Sequence, residues 1–189
     1  MQTISKVYDS YALAQDAVRD LESAGVPASE ISLIANKDLV DADGQSATAT
    51  GAEVGAAVGG GVGLLSGLGM LAIPGLGPVV AVGWLAATAV GMLAGTATGG
   101  IVGALVDAGT SEPEAHFYSE AIRRGGALVT VRTNRMADQI QPILDRHNPV
   151  DPAVRRSEYE QAGWNGFDPR APAFRRDQAA VDAARHDAV

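Results

Sequence analysis

Three histidines, His116, His147 and His186, are the residues best suited to metal binding or proton transfer, but they lie far apart and form no HxxxH or HxxE pair. Surface or partly buried rings are the expectation. Asp38, Asp41 and Asp43 ahead of Gly44 resemble the opening of a cation loop, yet the closing Glu of that pattern is missing, so a solvated acidic loop is expected. The run Gly67-Leu68-Gly69-Met70-Leu71-Ala72 spells the GxGxxA of a dinucleotide turn without a strand before it or an amphipathic helix after it. No Gly-rich stretch leads into Gly-Lys-Ser/Thr, and no Gly-x-Ser-x-Gly elbow exists. The absence of Cys excludes disulfides, thiolate catalysis, zinc ribbons and iron–sulfur ligation. The chain is therefore expected to be no enzyme, with no catalytic, cofactor-binding or metal-binding residues and no cofactor.

The chemistry that remains is that of glycine. Gly51, Gly55, Gly59, Gly63 and Gly67 recur at every fourth residue, and Gly91, Gly95, Gly99 and Gly103 repeat the spacing after Pro74-Gly75-Leu76-Gly77-Pro78, with Gly83 and Ala87 in the same register. On a helix, four residues advance the face by roughly 40°, so each series leaves a smooth groove where another backbone can approach closely. No residue between Val54 and Val106 is charged. At ~1 kcal/mol each relative to Ala, the eight glycines from Gly51 to Gly69 oppose a water-exposed helix by roughly 8 kcal/mol. Such a helix needs either a bilayer or tight packing against like helices. The two halves, Gly51 to Ile73 and Val79 to Val106, both reach the ~20 residues a bilayer requires. These nine glycines are the candidate helix-packing and oligomerisation residues. The expected partners are other copies of the chain and membrane lipid, with no small-molecule ligand identifiable.

Elements on either side of this run read more simply. Thr3 to Tyr8 reads as a strand, Tyr11 to Ala24 as a helix with Ala14, Ala17, Val18 and Leu21 on its apolar face and Gly25 as its stop, and Ile31 to Ala35 as a second strand. Asp9 and Ser10 are capping candidates. Beyond the run, Ser111-Glu112-Pro113-Glu114 opens a helix to about Arg124, Ala127 to Arg132 is the most β-prone stretch, and Met136 to Arg146 makes a last helix that Pro142 opposes. Tyr8, Tyr11, Phe117 and Tyr118 suit core or rim positions. The sum is an α+β fold, a ferredoxin-like half with helices on one face of a small sheet, split by a two-helix hairpin. Residues 1–50 form its N-terminal βαβ part, 51–106 the glycine-zipper hairpin, 107–147 the C-terminal αβα part and 148–189 a mostly disordered polar tail. In that tail Trp164 and Phe167 either dock on their own domain or form a partner-binding peptide.

The 189 residues suit one domain with appendages, and a net charge of −8 with only two lysines argues against a nucleic-acid partner. No basic leader precedes an apolar core at the N-terminus, so no signal peptide is expected. Arg123, Arg124, Arg132 and Arg135 after the hairpin and Lys37 before it place both termini in the cytoplasm if the hairpin inserts.

Lys6 to Ser10 with Ala14, Ala17-Val18, Leu21 and Gly25, then Ile31 to Ala35, resemble the opening of the bacterial general stress protein 17M-like domain. The glycine-rich insert, the Ile73-Pro74-Gly75-Leu76-Gly77-Pro78 turn, and Glu114, Tyr118, Arg123 to Gly126 and Leu128 to Val131 are similar to its glycine-rich variants, over about residues 3 to 133. The resemblance implies a stress-associated bacterial protein with a small α+β domain and supplies no catalytic or binding residues. The expectation is a non-enzymatic stress-response protein self-associating through the hairpin in or on the inner membrane. A soluble, cytoplasmic self-assembling protein and a ligand-sensing or channel-like module are the alternatives.

Overall fold

The computed structural model describes residues 2–37, 69–73, 75–85, 88, 100–134 and 137–171. Five strands, β1 (Gln2–Tyr8), β2 (Ile31–Asn36), β3 (Gly69–Ile73), β4 (Gly77–Gly83) and β5 (Ala127–Thr133), make one sheet in the order β1-β5-β2-β4-β3. All four pairings are antiparallel. Between β1 and β2 runs helix α1 (Tyr11–Ser23), and β5 inserts between those two strands, giving the split βαβ arrangement of an α+β fold. A 3-10 turn (Ala28–Glu30) leads into β2, and helices α2 (Gly100–Asp107), α3 (Glu112–Arg123), α4 (Ala137–Asp145) and α5 (Pro152–Gln161) complete the described elements.

Local sequence accounts for most of this. In α1, Ala14, Ala17, Val18 and Leu21 are buried, and the chain leaves it with Gly25 N–H donating to Glu22 O and Val26 N–H to Leu21 O, the closing bonds of a Schellman turn. Asp9 and Ser10 do not cap α1 by side chain: Ser10 occupies the N-cap without such a bond, and Asp9 is held by Arg155. Ser111 likewise sits at the N-cap of α3, but its hydroxyl bonds Glu114 rather than the backbone. In α4, Ile140, Ile143 and Leu144 are buried although Pro142 lies inside the helix.

The glycine-rich run departs from the expected two-helix hairpin. Residues 69–73 and 77–83 are strands closed by a turn at Gly75-Leu76, with Ile73 opposite Gly77. Pro78-Val79-Val80-Ala81-Val82 explains it: stiff β-branched side chains favour the pleated surface, and Val79 to Val82 are all buried against β2. The Gly67 to Ala72 run thus ends in a strand, not at the start of a helix, from Gly69 onward. No helix among the described residues is long and apolar enough to cross a membrane. The expected transmembrane helices are thereby corrected, and the inner-membrane placement loses its structural basis. Of the nine candidate packing glycines, Gly103 lies half-buried in α2; Gly51, Gly55, Gly59, Gly63, Gly67, Gly91, Gly95 and Gly99 lie outside the described residues.

Helices cover both faces of the sheet, not one. All six residues of β2 are buried, which requires cover above and below. On the first face Ile4, Tyr8, Leu33, Val82, Val129 and Val131 pack against α1 and α4; on the second, Val7, Ile34, Ala81 and Leu128 meet α2, α3 and α5. Helix α5 falls within the segment read as a tail. Asp151 accepts from Ala153 N–H at 2.8 Å and Val154 N–H at 3.1 Å, and Pro152 fits the first turn, where its missing N–H costs nothing.

Candidate functional site

Helix α5 is held to the sheet's second face by three devices. Arg155 donates to both oxygens of Asp9 at 2.8 and 2.7 Å, a fork-to-fork pair that raises the guanidinium's pKa. Tyr159 is buried with its ring 6.0 Å from that of Phe117 and beneath the guanidinium of Arg124 at 4.3 Å. Burial raises the Tyr159 hydroxyl's pKa, opposed by Arg155 and Arg124. Arg124 is itself fixed by Glu120, only 1% of whose side chain is exposed and whose carboxylate takes Arg124 Nε at 2.6 Å and Arg123 at 2.7 and 2.8 Å.

The chain then reverses. Gly163, at φ +84°, adopts a conformation that side-chain-bearing residues rarely take, and Trp164 N–H returns to Tyr159 O at 2.9 Å. Trp164 thus lies edge-on to Tyr159, with ring centroids 6.2 Å apart. Three residues on, Phe167 N–H donates to His116 Nδ1 at 3.0 Å, so the neutral ring carries its hydrogen on Nε2. Phe167 is buried beside Gly75, where a Cβ would lie 2.9 Å from its ring and 2.7 Å from Pro169 Cα. Trp164 and Phe167 therefore dock on their own domain, and the 163–169 strap lies across the β3–β4 turn.

Between α3, α5 and the strap opens a cavity of about 420 Å³, lined by Pro113, His116, Arg156, Glu160, Trp164, Asn165 and Gly166. Arg156 is set by a bond from its NH2 group to Pro113 O at 3.0 Å, with its guanidinium 5.7 Å from the Phe117 ring centroid. The Trp164 indole N–H is buried and has no acceptor among the described residues. Donors dominate the lining: the Arg156 guanidinium, the indole N–H and His116 Nε2–H, the last with Glu112 at 3.9 Å, stand beside one exposed lining carboxylate, Glu160. Such a set suits holding an anionic group; His116 is the one classical base here, and its Nδ1 lone pair is already engaged.

No protein-family model, curated protein or solved structure matches the chain.

The structure uses the candidate residues unevenly. His116 lines the cavity; His147 instead contacts Asp20 at 3.0 Å, on α1; His186 lies outside the described residues, as do Asp38, Asp41, Asp43 and Gly44. Tyr8, Tyr11, Phe117 and Tyr118 are all buried, as their pattern suggests. Among the described residues no group of His, Asp and Glu could hold a metal ion. Sequence reading missed Pro113, Arg156 and Glu160 as site residues. The signal was present in Asp151-Pro152, a cap followed by a first-turn proline, with Arg155, Arg156, Tyr159 and Glu160 at helical spacing before Gly163.

Proposed function

We propose that the chain is a non-enzymatic, cytoplasmic binding module that holds a small anionic molecule between α3, α5 and the strap. The buried Trp164 indole N–H carries this reading: a donor without an acceptor is costly, of the order of 1–3 kcal/mol, unless something supplies one. Arg156 and His116 bring two further donors to the same cavity. In this reading the stress-associated role implied by the resemblance is exerted through binding. The test is a two-dimensional NMR titration of full-length protein with a panel of small phosphates and carboxylates, following the two indole N–H signals, assigned with Trp164→Phe. A saturable shift of the Trp164 signal that Arg156→Ala abolishes is expected. A Trp164 signal unmoved by every member of the panel overturns the reading.

A second reading, self-association through the glycine register, is supported by the four-residue spacing from Gly51 to Gly67 and from Gly91 to Gly103. Here Gly59→Leu with Gly95→Leu reduces oligomer size in sedimentation, and an unchanged profile counts against it.

A further inference from the structure

Arg132 is out of place by the ordinary logic of a sheet. It lies on β5 opposite Thr3, on the face covered by α2 and α3, half-buried, and no carboxylate among the described residues pairs with it. Buried or half-buried arginines are normally paired, because a desolvated cation without a counter-charge is costly. Instead its guanidinium lies 4.0 Å from the Trp84 ring centroid, and that ring is fixed by a bond from Nε1 to Glu30 O at 3.2 Å. One terminal nitrogen reaches Ser29 O at a long 3.4 Å. Arg132 Nε is buried and has no acceptor among the described residues.

Around this side chain is a second cavity, of about 320 Å³, lined by Thr3, Trp84, Thr88, Asp107 and Gly109 as well as Arg132. The hydroxyls in it have already spent their hydrogens: Thr3 donates to Ala108 O, and Thr88 donates to Trp84 O at 2.9 Å. Each keeps acceptor lone pairs, and Asp107 adds a carboxylate. The walls thus offer one cationic fork and several acceptors, the reverse of the donor-rich cavity beside Trp164.

We propose that this cavity is a second binding site, for a small carboxylate that carries its own N–H or O–H donors, the amino-acid and hydroxy-acid class. The ligand carboxylate takes the side-on fork of Arg132 Nε and a neighbouring N–H, the geometry in which arginine holds carboxylates best. Its ammonium or hydroxyl donates to Thr3, Thr88 and Asp107. Stacking on Trp84 holds the fork in place before binding, so little side-chain entropy is lost.

The probe is L-serine, titrated into full-length protein while the Arg132 Nε–H and Trp84 indole signals are followed by NMR, with acetate and inorganic phosphate in parallel. Serine is expected to shift both signals saturably, and acetate, which brings no donors, and inorganic phosphate, which meets the same fork but brings no ammonium, each to bind at least tenfold more weakly. Arg132→Lys is expected to weaken serine binding at least tenfold. Should that variant fail to fold, Thr3→Val, which removes an acceptor and keeps the shape, is expected to weaken serine and leave acetate unchanged. Absence of a saturable shift with serine, or binding of acetate or phosphate as tight as that of serine, overturns the proposal. The Trp164 indole reports the other cavity in the same spectra, so the two sites stand or fall separately.

Discussion

The two faces of the sheet are built from the same strands and do different work. Alternate residues of β2 send Ile31, Leu33 and Ala35 to the first face and Ser32, Ile34 and Asn36 to the second; β5 sends Val129 and Val131 one way, Thr130 and Arg132 the other. Under α1 and α4 the side chains are mostly apolar; the Tyr8 hydroxyl is satisfied by Leu144 O at 2.9 Å, and the buried Tyr11 hydroxyl and Gln15 Oε1 on α1 have no partner among the described residues, but no cavity described above opens on them. The second face carries a polar row, Ser5 and Thr130 joined at 3.2 Å and Ser32 donating to Val82 O at 2.9 Å, together with Glu120, Arg132 and the two cavities described above. One face stabilises the domain; the other spends part of its packing on groups that can meet a ligand. The separation follows from the two-residue period of a strand, which lets adjacent residues answer to different demands.

Replacing a first-face residue tests this most forcefully. Leu33, fully buried, becomes a cavity in Leu33→Ala and costs about 3 kcal/mol in denaturant unfolding, while the indole shifts on ligand addition persist in the folded protein. Next comes Gly75→Val, which places a side chain against Pro169, Asp168 and Phe167 at a φ of +79°; about 2 kcal/mol of strain is expected. Limited proteolysis should then cut the strap beyond Gly163 faster than in the parent, and cleavage at the parental rate would show that the strap does not depend on this contact. On the second face, Ser32→Ala leaves Val82 O without its side-chain donor and is expected to cost about 1 kcal/mol by thermal unfolding. A loss approaching that of Leu33→Ala would erase the distinction between the faces.

The smallest effect at neutral pH is that of Tyr118→Phe, but it grows in alkali. Burial and Glu114 push the Tyr118 hydroxyl up to about 12 from its ordinary 10.0, against the pull of Arg156. The unfolded chain releases this proton near pH 10 and the folded protein keeps it until about 12, so the stability it confers is intact below pH 10 and declines as pH rises toward 12, by about 1.4 kcal/mol per unit. Tyr118→Phe should make the decline above pH 10 shallower by one proton's share, the rest coming from Tyr8, Tyr11 and Tyr159, which burial also raises; an unchanged slope would assign alkaline unfolding to those groups alone.

Much of the frame is legible in the sequence because its signals are local. The apolar stripe from Ala14 to Leu21, the acids and proline opening α3, and the β-branched run of β5 each encode their element within a dozen residues. The cavities were not legible, since Arg156, Trp164 and His116 are brought together by the docking of α5, and Arg132 meets Trp84 only across the sheet. In the glycine-rich run two periods competed. Spacing by four pointed to helices, whereas Val79, Val80 and Val82 point to a strand, and for Gly77–Gly83 pairing with β2 favours the strand.

The α+β class, the helices and strands flanking the run, and the lack of charge through Val54 to Val106 follow from local sequence alone. Tertiary structure alone decided that β5 lies between β1 and β2, that β3 and β4 extend the same sheet, that helices cover both its faces, and that residues 152–169 fold back over the second face. The physical reason is range. Caps, stripes and β-branching act between near neighbours, whereas strand order, cover and docking are settled by contacts between residues far apart in the chain, whose stabilisation exists only once the whole sheet has formed.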